Sequence, residues 1–102
     1  MLERAGKPGI LAQMIAMFIK GSADQISSLL AASDAGDVEK LRVTSHTLKS
    51  NAASFGASAL ADLCRDIETD ARSGTGRLAE SRRLQLLALH AASCAALQRE
   101  IT

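Results

Sequence analysis

His46 stands three residues before Lys49 in the stretch SHTLKSNAASFGASALADLCRDIE, which runs from Ser45 to Glu68. A neutral imidazole is a nucleophile, and an ammonium one helical turn away welcomes an anion. The pair therefore suits nucleophilic attack on an anionic group. On spacing alone the plainer reading is a surface histidine beside a solvated lysine. What decides between the two is the set of elements that must hold the pair.

Those elements read as helices. Val38, Leu41, Ser45, Leu48, Ala52 and Phe55 recur at alternating steps of three and four, and so do Leu60, Leu63, Ile67 and Ala71, with Cys64 beside them. Ile26, Leu29, Leu30 and Ser33 form a further stripe, and Leu84, Leu87, Ala91, Cys94, Leu97 or Gln98, and Ile101 another. Gly21-Ser22, Asp34–Asp37, Gly56 and the SGTG run at 73–76 punctuate them, with Asp37 placed to cap the helix that follows. The spacing predicts helices at about 8–19, 22–34, 37–55, 58–73 and 78–100. Short loops between long amphipathic helices predict an all-α, antiparallel up-down four-helix bundle with a short extra N-terminal helix, which packs over one end or continues into the second helix.

In that frame His46 lies about 100° round from Ser45, off the core stripe, on a flank shared with Lys49, Ser50 and Ala53. Ser50 and Ala53 are short, so the imidazole stands above a low surface. The flank of the 58–73 helix beside its stripe reads Ala61, Arg65, Glu68, Arg72. Counted back from the Gly56 turn, His46 lies roughly 15 Å along one helix and Glu68 roughly 18 Å along its neighbour. The two are level within about a turn. Glu68 is then placed to accept from one ring nitrogen, which leaves Nδ1 protonated and Nε2 free.

Composition narrows the field. The chain has 102 residues, enough for one domain, with 47% apolar residues but only 2% aromatic ones. A core of Leu, Ile, Ala, Met and Cys favours helices over strands. Met14, Met17 and Phe18 read as core filler. A formal net charge of +1, with no basic block and almost no aromatic residue, speaks against nucleic-acid binding. The run GILAQMIAMFIKG is too short to span a bilayer, and no direct membrane contact is expected. Cys64 and Cys94, without a CxxC, read as reduced cytoplasmic thiols used as small hydrophobes. His90, with Ser93 three residues on, reads as a border residue of the core. Two histidines in different helices make no metal site, and no GxxxxGK[ST] provides for a nucleotide.

The set His46, Leu48, Lys49, Ser50, Gly56, Leu60, Leu63, Cys64 and Glu68 resembles the motif of histidine-containing phosphotransfer (HPt) domains of multistep phosphorelays. The flanking LLAASDAGDVEKLRVTSHTLKS is similar to the family's lead-in to the histidine helix, so the likeness spans nearly all of residues 1–102 as a single domain. Ser50 stands where the family often has Gly. Position 68 varies in the family between Gln and Glu, and Arg72 matches a position that is sometimes basic and near the phosphate.

The resemblance implies a phosphohistidine intermediate that carries a phosphoryl group between receiver-domain aspartates. His46 would be the phosphoacceptor, Lys49 would stabilise phosphoryl charge, and Glu68 would orient the imidazole. Response-regulator receiver domains would dock over Ser50, Ala53, Ala57 and Ala61, with Arg65 and Arg72 on the rim. No cofactor is implied for this chain; Mg²⁺ belongs to the receiver. The domain would have no ATP-binding kinase part of its own and would be a cytoplasmic monomer. A free-standing shuttle and the cytoplasmic domain of a hybrid sensor histidine kinase, acting in cis, both fit the opening LERAGKPGILAQMIAMFI. The alternative is an HPt-like helical module that docks receivers or other partners without carrying phosphate.

Overall fold

The computed structural model describes residues 8–101. Four helices follow one another: α1 (Pro8–Ala35), α2 (Val38–Ser54), α3 (Ser58–Arg72) and α4 (Glu80–Arg99). Each packs against its chain neighbours, and α4 closes back onto α1. This is the expected antiparallel bundle, 48 Å long and 21 by 18 Å across.

The turns show why the chain reverses where it does. Gly36 and Gly56 have φ of 66° and 74°, in the left-handed region that other L-residues avoid. Gly36 N–H donates to Ser33 O and Asp37 N–H to Ala32 O; Gly56 N–H donates to Ala53 O and Ala57 N–H to Ala52 O. Both are Schellman closures, which satisfy the last carbonyls of α1 and α2. Asp37 then caps α2 by accepting from Lys40 N–H at 3.0 Å. The longer α3–α4 connection is tied to the end of α1, where Leu78 N–H donates to Ser33 Oγ at 2.8 Å and Arg77 Nη1 to Asp34 O at 3.2 Å.

The N-terminal helix is not a separate element but continues into the next, the second of the two arrangements expected for it. The expected 8–19 and 22–34 segments are one helix of 28 residues. A glycine inside a helix costs only about 1 kcal/mol, and burial outweighs it here. Ile15 and Phe18 before Gly21, and Ser22 and Ile26 after it, are all buried on one face. Phe18 also meets Phe55 at the end of α2, ring centroids 4.7 Å apart. Met14 and Met17, expected in the core, are exposed instead, because the buried face of α1 passes through Ile15 and Phe18.

The stripe expected on the last helix is displaced in its first half, where Leu84, Leu87 and Ala91 are exposed, while Cys94, Leu97 and Ile101 are half-buried as expected. Leu86 is fully buried instead, and Leu89, His90 and Ser93 are half-buried. His90 Nε2 lies 2.8 Å from Ser22 Oγ on α1 and 3.3 Å from Cys94 Sγ. Burial pushes the His90 pKa down. The stripes of the middle helices stand as expected: Leu41, Ser45, Leu48 and Ala52 are buried on α2, and Leu60, Leu63, Cys64, Ile67 and Ala71 on α3. Both cysteines are free, and burial pushes the Cys64 thiol up to about 12, so it is an inert small hydrophobe. Among the described residues no helix is long and apolar enough to cross a membrane.

Candidate functional site

Because Ser45 and Leu48 face the core, His46 and Lys49 are carried onto the edge of α2 that borders α3. Ser45 is fully buried, and its hydroxyl donates back to Leu41 O at 2.7 Å, so it needs no other partner. The Gly56 turn brings α3 back alongside, and Glu68 arrives level with His46. His46 Nδ1 lies 3.0 Å from Glu68 Oε2, and Lys49 Nζ donates to Oε1 at 2.8 Å. Arg72, one turn further along α3, donates from Nη2 to Oε2 at 2.8 Å.

Glu68 is the buried member of this cluster. Its side chain is 5% exposed, against 54% for His46. A carboxylate taken out of water needs charged or donating partners to stay ionised. Here the hydrogen bond from Lys49 acts first, against the opposing push of burial, and Arg72 and His46 add to it. Together they hold the carboxyl at about 2, well below its ordinary 4.5.

An ionised carboxylate only accepts hydrogen bonds, so His46 Nδ1 carries the hydrogen. In the neutral ring the lone pair is then on Nε2, at the opposite edge of an imidazole more than half exposed. The site thus offers a nucleophilic nitrogen in a fixed tautomer, with an ammonium beside it.

The depressed carboxyl has a pH consequence. A group whose folded pKa lies below its unfolded value stabilises the fold above the unfolded pKa and loses that contribution as pH falls through the folded one. For Glu68 the window runs from about 4.5 down to about 2. Urea midpoints of wild type and Glu68→Gln should be furthest apart near neutral pH and converge across that window. A gap that stays constant down to pH 2 would mean that the ionised carboxylate contributes nothing.

The expected surface residues divide. Ser50, Ala53, Ala61 and Arg65 line one open depression of about 470 Å³ beside Lys49, together with Ser58 and Asp62. Ala61 is its floor rather than an exposed part of it, since only 9% of that residue is accessible. Ala57 is elsewhere. It lines an apolar hollow at the end of the bundle with Leu11, Ile15, Phe55 and Leu97, because the Gly56 turn aims it at α1 and α4. Arg72 keeps an exposed guanidinium but is committed to Glu68. The role expected for Arg72 does not include that bond, although the four-residue spacing of Glu68 and Arg72 is its signal. Among the described residues no group of three or more His, Cys, Asp or Glu side chains could hold a metal ion.

Comparison with known proteins gives the arrangement its relatives. No curated protein sequence matches the chain. Among solved structures, the crystal structure of histidine-containing phosphotransfer protein B (HptB) from Pseudomonas aeruginosa PAO1 matches with a TM-score of 0.84 at 28% identity, over 98% of this chain and 86% of that one. The family model of the Hpt domain matches residues 13–100. That match takes in all but the outermost turns of the bundle, and with it this chain belongs to the Hpt domain family, phosphotransfer modules of phosphorelays that are not themselves kinases and that work with response-regulator receivers.

Proposed function

We propose that His46 Nε2 carries a phosphoryl group between the aspartates of receiver domains. The observation that carries this reading is the bond from His46 Nδ1–H to the ionised Glu68, which leaves Nε2 as the bare nitrogen on an exposed ring. In the forward step the Nε2 lone pair forms an N–P bond. The P–O bond to the receiver's aspartate breaks, and its electron pair leaves on the aspartate carboxylate. The receiver supplies the aspartyl phosphate and the Mg²⁺. The reverse step returns the phosphoryl group to a second receiver.

Lys49 stabilises charge on the transferring group. The depression lined by Ser50, Ala53 and Arg65 lies on the Lys49 side of the site and supports docking there, with a small low floor and a charged rim. A monomer working in the cytoplasm fits this role, either free-standing or attached to a sensor kinase.

Incubation of the protein with a phosphorylated receiver tests the reading. Label that is lost in acid and stable in base, as a phosphoramidate is, is the expected result. Absence of label with receiver binding intact would leave a docking module in its place. Lys49→Ala is expected to slow acceptance on the order of 100-fold, the usual effect of removing one donor aimed at developing charge. Its affinity for the receiver should change little, since rim charges of an interface contribute little. A transfer rate equal to wild type would remove Lys49 from the chemistry.

A further inference from the structure

Glu68 at rest has two cationic partners, Lys49 and Arg72, and the His46 ring as a third partner. Lys49 Nζ holds Oε1 at 2.8 Å, while Arg72 Nη2 at 2.8 Å and His46 Nδ1 at 3.0 Å share Oε2. The two cations differ in what else they can reach. Lys49 is on α2, one turn from His46 and beside the open depression. Arg72 is on α3, one turn from Glu68 itself, so its hold on Oε2 is set within a single helix.

Phosphoryl transfer to Nε2, which this inference takes from the function proposed above, changes the demand on these charges. The N–P bond forms while the proton on Nδ1 stays, so the ring becomes an imidazolium and the phosphoryl group carries close to two negative charges at neutral pH. Lys49 is drawn toward those oxygens, and its bond to Oε1 weakens as its charge is shared. Glu68 remains buried and must remain ionised to hold the Nδ1 proton.

We propose that Arg72 is a positioning residue for the reaction: the standing counter-ion of Glu68, which keeps Oε2 on His46 Nδ1 and releases Lys49 to serve the phosphoryl group. It acts through the carboxylate and touches neither the phosphoryl group nor the receiver. The carboxyl, held at about 2, stays ionised across the working pH range, so the need for a counter-ion persists throughout the transfer.

A double-mutant cycle tests this directly. Wild type, Arg72→Gln, Glu68→Gln and the double variant are assayed for the rate of acceptance from a phosphorylated receiver and for receiver affinity. Neighbours that act as one unit show interaction terms equivalent to about tenfold in rate. Arg72→Gln is expected to slow transfer about tenfold, and by less than about twofold where Glu68→Gln has already removed the charge that needs a partner. Receiver affinity should be unchanged, and Arg72→Lys, which keeps the charge, should recover most of the rate. An equal slowing in both backgrounds overturns the proposal, as does a fall in receiver affinity that accounts for the slowing.

The unphosphorylated protein provides a readout independent of transfer. Nitrogen chemical shifts of His46 should report less of the Nδ1–H tautomer in Arg72→Gln than in wild type. An unchanged tautomer ratio overturns the positioning role even if His46 never takes label. Label on wild type with no interaction term in the cycle removes the role of Arg72 and leaves that of His46 intact.

Discussion

His46→Gln is expected to take no detectable label from a phosphorylated receiver while its helical content and urea midpoint stay near wild type, within about 0.5 kcal/mol. The loss should be complete because an amide nitrogen has no free lone pair, whereas the imidazole Nε2 does. The fold should survive because the ring is 54% exposed and lies off the buried stripe of Leu41, Ser45, Leu48 and Ala52. Nor is Glu68 stranded by the change, since Lys49 and Arg72 still bond it. The second histidine is no substitute: His90 Nε2 is half-buried in the α1–α4 seam against Ser22 and Cys94. Label retained by His46→Gln would move the acceptor away from the α2–α3 edge. Label that vanishes together with receiver binding would leave the chemistry undecided between docking and transfer, so affinity is measured alongside.

The α2–α3 site was legible in the sequence because helical arithmetic is rigid there. Two well-contrasted stripes, with Gly56 between them, fix both the rotation of each helix and the level at which they face each other. The same arithmetic puts His46, Lys49 and Glu68 together at one level of the α2–α3 edge. It did not give the order of the bonds. Lys49 was assigned to the anion that arrives in the reaction, yet at rest it bonds the anion already present, Glu68 Oε1. The resemblance puts Arg72 on the docking rim and at a position that is sometimes basic and near the phosphate; its bond to Oε2 makes it part of the charge arrangement around the histidine.

The outer helices were less legible for a different reason. α4 reads ESRRLQLLALHAASCAALQR, in which alanine and leucine occur on every face and periodicity has little contrast. The half-buried face includes Ser93, a polar residue that a count of apolar positions passes over, and His90, whose reading as a border residue of the core agrees with its half-buried place. Ser22 shows the same effect on α1. Read as half of a helix break, it is fully buried, donates to Ile19 O at 3.2 Å and meets His90 across the seam. The Ser22–His90 pair joins α1 to α4 inside the bundle, and the Ser22 half of it does not announce itself in sequence.

Leu48→Ala should lower stability by about 2–5 kcal/mol, the range for truncating a fully buried leucine. Leu48 is 0% exposed and sits in the continuous core with Leu29, Leu41, Leu60, Ile67 and Leu86. Helix propensity does not offset the loss, because alanine and leucine differ little in a helix interior. Nor does the core offer a large ring to slide into the space, since the two phenylalanines pack against each other at the end of α2. Set against a typical net stability of about 5–15 kcal/mol, the change is large for a domain of this size. The urea midpoint should fall at an unchanged slope, the mark of a stability change without a change in the surface exposed. Leu48 is two residues from His46 and points to the opposite side of α2, so molecules that remain folded should accept the phosphoryl group at close to the wild-type rate. A loss below about 1 kcal/mol would mean that the core closes over the missing side chain. An acceptance rate that falls in the fully folded protein would mean that the buried stripe of α2 does more than hold the helix in place, and that it also sets the distance between His46 and Glu68.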